Sequence, residues 1–279
     1  MSETLPPSAP PPTDPPRWGW RPPAERWRPK LRWFAAEILI VVCGVLVALA
    51  LNAWWQGRQD AAAEARYLAL ISRDLGQMTD ELDELLTFET HHVEDGFAVY
   101  RSLSAGDRSD SARALVSDVV ASLTLRRTMR LTNPAYQDLV GTGHLGLLRD
   151  EVLRDQIVSF YERVGREYEV HNLNNASWVD DLYKDELFRD GLFVFRGPAR
   201  STIQETNEAD STLLAESRGG YADDPDPIWR YPYDAPAWQM VKGQLLSRIR
   251  ISLYARLRAR NLLAQTREMK AAVDAARTR

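Results

Sequence analysis

From Ile38 to Gly57 no position is charged, and Ile38 to Leu51 reads ILIVVCGVLVALAL. Beyond that run the pattern changes to apolar residues every third or fourth position with acids between them. The first pattern predicts a membrane-spanning helix over 34–56, anchored by Phe34, Ile38, Val42, Val45, Leu49, Trp54 and Trp55. From Phe34 to Trp55 is roughly 22 residues, about 33 Å of helix, enough for a hydrocarbon core of about 30 Å. Trp33 and Phe34 at one end and Trp54 and Trp55 at the other stand where amphipathic rings favour the headgroup layer. Two alternatives stay open: a core helix of a soluble protein, and a signal peptide cleaved near Ala48-Leu49-Ala50.

The second pattern is a heptad seam, Leu68, Ile71, Leu75, Met78, Leu82 and Leu85, with Glu64, Asp74, Asp80, Glu81, Asp83 and Glu84 off it. It predicts that the anchor helix runs on and frays near Gly96, as half of a coiled-coil dimer or one member of a bundle. A second helix is expected from Ser109 to Arg127, with Leu115, Val116, Val119, Val120 and Leu123 on its apolar face. Asn133 as cap and Pro134 in the first turn start a third, which ends at Gly141. A fourth runs from Asp150 through Leu153, Ile157, Phe160, Val164 and Tyr168 towards Trp178 and Leu182. The last covers 237–275, with Val241, Leu245, Ile249, Leu253 and Leu257 facing inward. A short strand fits near residues 192–196. The fold class is therefore all-α: a transmembrane helix continuing into a helical bundle. The expected divisions are a Pro-rich disordered arm (1–33), the span (34–56), the bundle core (57–197), a long polar and aromatic connection (198–236) and a closing bundle helix (237–279).

Charge sets the expected orientation. Arg17, Arg21, Arg26, Arg28, Lys30 and Arg32 precede the span, while only Arg58, Arg66 and Arg73 follow within a similar distance. Cationic flanks stay cytoplasmic, so the N-terminus is expected inside and the bundle outside, which in a Gram-negative bacterium is the periplasm. The arm before the span alternates Arg and Trp among prolines, a composition for polyproline II that can rest on an anionic leaflet or dock to a proline-binding partner. Net charge is −4, which gives no global case for nucleic acid. The single cysteine, Cys43, lies in the span, so no intrachain disulfide can form.

Candidate chemistry is sparse. Gly141-Thr142-Gly143-His144-Leu145-Gly146 has G-x-G-x-x-G spacing. A dinucleotide site needs a strand before it and a βαβ unit around it; here a proline-started helix precedes, so helix C-capping is expected and no nucleotide. His91 and His92 point about 100° apart on a helix, and His144 and His171 stand alone, so no metal is expected. Asp223, Asp224 and Asp226 lack the glycine and glutamate of a calcium loop. Asp180-Asp181 and Asp185-Glu186 fit the wet face of a helix. No catalytic residue or cofactor is assigned. Trp229, Tyr231, Tyr233 and Trp238, set among prolines, form either an interaction surface or a clamp pinning the connection to the bundle.

The order of features resembles a family of uncharacterised bacterial proteins that pair an N-terminal membrane anchor with a helical domain of unknown function. The resemblance is carried by Gly44 to Leu49, Asn52 and Trp54, then Glu64, Tyr67, Leu68 and Leu75. It continues through Ala135-Tyr136, Leu139, Gly143-His144-Leu145, Leu147, Leu153, Ile157 and Phe160-Tyr161. It covers roughly residues 34 to 170 and implies architecture alone. The expected function is protein interaction or self-association by an outer domain tethered to the bilayer. Ligand sensing through a membrane partner is the alternative, and a hydrolytic or metal-dependent enzyme a third.

Overall fold

A computed structural model describes residues 24–130, 133–189, 191–194 and 226–278. Among the described residues there are six α-helices: α1 Ala24–Ser104, α2 Asp110–Ser122, α3 Pro134–Gly141, α4 Glu151–Asn174, α5 Asp185–Arg189 and α6 Pro236–Arg277. A π-helical stretch, Asn175–Lys184, joins α4 to α5, and 3-10 turns lie at His144–Leu147 and Pro227–Arg230. The fold is all-α, with no strand among the described residues. The chain divides into two compact units, Met1–Gln59 and Asp60–Arg279.

In the first unit, α1 begins at Ala24, inside the stretch expected to be a disordered arm. Ala24, Glu25, Arg26 and Lys30 are good helix formers, and they carry the helix through Pro29 at the loss of one backbone bond. Every residue from Trp33 to Gln56 is exposed. This helix is long and apolar enough to cross a membrane, its most apolar stretch having a mean hydropathy of 2.8 with none of it buried. A core helix would have protein over these faces, and none of the described residues covers them.

In the second unit the heptad seam is consumed within the chain. Leu68, Ile71, Leu75, Met78 and Leu82 pack with Ala135 and Leu139 of α3, Ile157, Phe160 and Val164 of α4, and Leu262 and Leu263 of α6. Ile71 and Leu75 are 0% exposed, and each such side chain stabilises the fold by about 1.5–3 kcal/mol. No seam is left over for a coiled-coil partner. A second core gathers Val99, Leu103, Val116, Val120, Tyr183, Leu187, Trp238 and Leu245. Antiparallel to α1, α6 serves both cores: Ser72 donates to Asp274 at 2.6 Å near one end, and Ile249 packs on Gly96 near the other. The expected fraying at Gly96 does not occur, because the missing side chain there admits Ile249 and α1 continues to Ser104.

Three boundaries depart from expectation for local reasons. α2 stops at Ser122 rather than Arg127, because Arg248 of α6 takes the carbonyls of Leu123 and Leu125. Asn133 makes no side-chain cap on α3; the cap comes from α1, where Asp74 Oδ2 accepts from the Ala135 amide at 2.9 Å. Of the stretch expected as a strand, residues 195–196 lie outside the described residues, and Leu192 and Phe193 are not in a strand: they follow a left-handed Gly191 (φ +64°) and bury themselves in the second core. Past Asn174 the helix widens. His171, Asn175, Val179, Tyr183 and Leu187, spaced by four, are all buried. An α-helix would swing such a stripe by about 40° per step, and the wider π turns hold it on one face.

Candidate functional site

Residues 125–130 form a strap across α1, α4 and α6. Half-buried Leu125, Arg127 and Met129 alternate with exposed Arg126, Thr128 and Arg130, the period of two of an extended chain. Arg248 Nε donates to the Leu123 carbonyl at 2.8 Å and Nη2 to that of Leu125 at 3.1 Å. The Arg127 carbonyl meets His171 Nε2 at 2.9 Å and accepts from Asn175 Nδ2 at 3.2 Å. Arg126 pairs with Asp180 at 2.9 Å, and Arg127 pairs with Glu84. The strap is thus fastened to both long helices behind it.

Between strap and bundle lies a cavity of about 390 Å³. Met78, Leu82, Leu85, Met129, Val164 and Leu262 supply apolar walls, and Glu81, Glu84, Arg126, Arg127 and Arg130 supply charges of both signs. Its size falls in the small-molecule range of about 300–1,000 Å³. Behind the strap, Arg248 is 1% exposed, with Glu89 Oε2 3.8 Å away and Ser252 Oγ accepting from Nη1. Burial lowers the Arg248 pKa and the Glu89 charge opposes that shift. His92 beside them is lowered to about 4, first by burial and then by the Arg248 charge. It is therefore a neutral imidazole at pH 7, with Nδ1 on the Phe88 carbonyl at 3.0 Å.

The other sequence candidates are dispersed. His91 is exposed and His92 buried, on different faces of α1. His171 is fastened to the strap. His144 is exposed, its ring 6.4 Å from that of Tyr67, whose hydroxyl donates to Asp138 Oδ2 at 2.8 Å. Among the described residues no three His, Cys, Asp or Glu groups are placed to hold a metal ion. Gly141 ends α3, and Gly143, with φ +73°, leads into the 3-10 turn; no βαβ unit surrounds them. Asp223 and Asp224 lie outside the described residues, while Asp226 is 1% exposed and accepts from Ser117 Oγ and from the Val194 amide.

Of the four aromatics, Trp238 is 0% and Trp229 7% exposed, packed edge to face at 4.8 Å within the second core. Arg108 donates to the carbonyls of Trp229 at 2.9 Å and Tyr231 at 3.0 Å. Lys242 Nζ lies over the Tyr233 ring at 4.3 Å. The cluster clamps the chain before α6 onto the bundle, and of the four only Tyr231, 45% exposed, is largely open to solvent.

Sequence periodicity missed a different feature. Leu257, expected inside, is 55% exposed, and Trp178 46%. They join Val170, Leu173 and Tyr254 on the outer side of α4, the π stretch and α6. The signal was the buried set on α6, Ile249, Ser252, Ala255, Ala259 and Leu262, whose small and polar members conceal the inward stripe from a hydrophobicity count. No protein-family model, curated protein or solved structure matches the chain.

Proposed function

We propose that this chain is a single-pass inner-membrane protein, N-terminus cytoplasmic, whose periplasmic helical domain works by binding protein, either a partner or another copy of itself. One contrast carries this. The apolar residues from Phe34 to Trp55 are exposed without exception, whereas the seam that follows them is buried throughout. The first needs lipid, and the second already has its partners. The excess of Arg and Lys before the span supports the orientation. Kinship with bacterial membrane-anchored helical proteins is proposed on the residues between 34 and 170 named above.

The test is a fusion of alkaline phosphatase, and separately of a fluorescent protein active only in the cytoplasm, after Arg279. Active phosphatase on a full-length protein that resists alkaline extraction is expected. Fluorescence would reverse the orientation, and a shortened, extractable product would make the apolar stretch a signal peptide.

The cavity behind the strap favours a second reading, ligand sensing. A small molecule seated against Met78, Leu82 and Met129 would press on a segment tied to α1, α4 and α6 together. A ligand-induced rise in melting temperature that disappears in Leu82→Trp, which fills the cavity, would support it.

A further inference from the structure

The cavity behind the strap is graded from an apolar floor to a cationic rim. Met78, Leu82, Leu85 and Val164 are each 2% exposed and Leu262 3%, so its floor is made of side chains that α1, α4 and α6 otherwise bury. Half-buried Met129 adds an apolar wall from the strap. Two of these six are methionines, whose unbranched, polarisable side chains adapt to apolar guests of varied shape, aromatic rings included.

The charges around this cavity do not cancel. Arg127 is paired with Glu84 and Arg126 with Asp180, and Glu81 is engaged as well. Arg130 has no hydrogen bond or ion pair among the described residues, and neither has the Thr128 hydroxyl two positions before it. Both are exposed, and both line the cavity. A guanidinium carries five N–H donors and no acceptor, and a hydroxyl can donate one bond more. What stands open at the rim is therefore a set of donors around one uncompensated positive charge.

A guest that satisfies both halves has an apolar body and one acidic head. A purely apolar molecule fills the floor and leaves the rim to water. A small anion without a body is held by a solvated arginine alone, a pairing that contributes about 0–1 kcal/mol. Joined in one molecule, the two contacts share a single loss of translational and rotational freedom. The volume of about 390 Å³ is that of a small-molecule site. We propose that the cavity binds an organic carboxylate with an apolar body, the body against Met78, Leu82 and Met129 and the carboxylate accepting from Arg130 and Thr128. The assignment rests on the ligand-sensing reading above and names the class of ligand for it.

The experiment melts the full chain in lipid nanodiscs with phenylbutyrate, with phenylbutanol (the same body uncharged), with phenylbutylamine (the opposite charge) and with acetate (the head without a body). The acid is expected to raise the melting temperature, the alcohol to raise it less, and the amine and acetate to leave it unchanged. Leu82→Trp, which fills the floor, should abolish these shifts; if that variant does not fold, Met129→Trp on the half-buried strap makes the same test. Arg130→Glu, at an exposed position where folding is not at stake, should reverse the order of acid and amine and leave the alcohol's shift as it was. Acid and amine that act alike, or an order that ignores Arg130→Glu, overturn the acidic head while the ligand-sensing reading stands. Shifts that persist in the filled cavity, or no shift with any of the four, overturn the class and the reading together.

Discussion

Arg248 of α6 donates from Nε to the backbone carbonyl of Leu123 at 2.8 Å, with its whole side chain out of solvent. A guanidinium in that position ends α2, since carbonyls turned towards α6 are lost to helix continuation. It also gives the strap its first fastening, at the Leu125 carbonyl.

Replacing Arg248 with Met should therefore cost far more than the loss of one side chain's packing. It strands the Leu123 and Leu125 carbonyls and leaves Glu89 buried without its counter-charge. Removing one member of a buried pair costs about 3–5 kcal/mol. Thermal unfolding of the full chain should show that loss, and Arg248→Met with Glu89→Leu should recover part of it.

His92 makes stability depend on pH in a defined window. Its folded pKa of about 4 lies below the ordinary 6.5, so the unfolded chain binds the proton more readily. Its contribution is complete above pH 6.5 and is lost as pH falls towards 4, by at most about 3 kcal/mol. The Arg248 and His91 charges beside it act in the same direction as burial. Melting temperatures measured from pH 7 to 4.5 should fall, and the fall should shrink in His92→Gln.

Two glycines on α1 should respond oppositely to alanine. A Cβ at Gly96 would lie 2.6 Å from Ile249 Cγ1, so Gly96→Ala forces two long helices apart and should destabilise by about 1–3 kcal/mol. At Gly76 the nearest atom is Lys270 Cε at 3.7 Å, the end of a flexible side chain. Gly76→Ala should stabilise by about 0.5–1 kcal/mol, because alanine loses less backbone freedom on folding. Denaturant midpoints of the two variants decide it.

Leu75 and Leu257 provide a further contrast. Leu75→Ala, at a 0% exposed position, should cost about 2–5 kcal/mol. Leu257→Ala, at 55% exposure, should change stability by less than about 0.5 kcal/mol. Equal losses at both sites would mean that Leu257 is covered within the folded monomer.

The helices most legible in the sequence were those with one apolar stripe and no competing side-chain acceptor. Leu68 to Leu85 kept a strict heptad and lies buried as the pattern required. α3 and the start of α4 were bounded by Pro134 and Asp150, residues whose backbone chemistry is local. What escaped was long-range. Nothing near Leu123 announces that Arg248, 125 residues away, ends the helix there. Asn133 looked like a cap, but Asp74 supplies it from 61 residues away. On α6 the inward face is built from Ser252, Ala255, Ala259 and Thr266, so the larger Leu257 drew attention to the wrong side. Trp229 and Trp238 are conspicuous as letters in any sequence, and only packing shows them to be a clamp.

The four-residue rhythm from His171 to Leu187 makes chain length, more than chemistry, the guarded quantity in that stretch. Deleting one residue between Asn175 and Lys184 with the π turns kept would rotate everything before the gap by about a quarter turn against everything after it. His171 and Asn175 would swing off the Arg127 carbonyl, or Tyr183 and Leu187 would leave the second core. Exposed positions such as Ala176 and Ser177 can change identity at little cost. Evolution there is free to respell the segment and is held to its count.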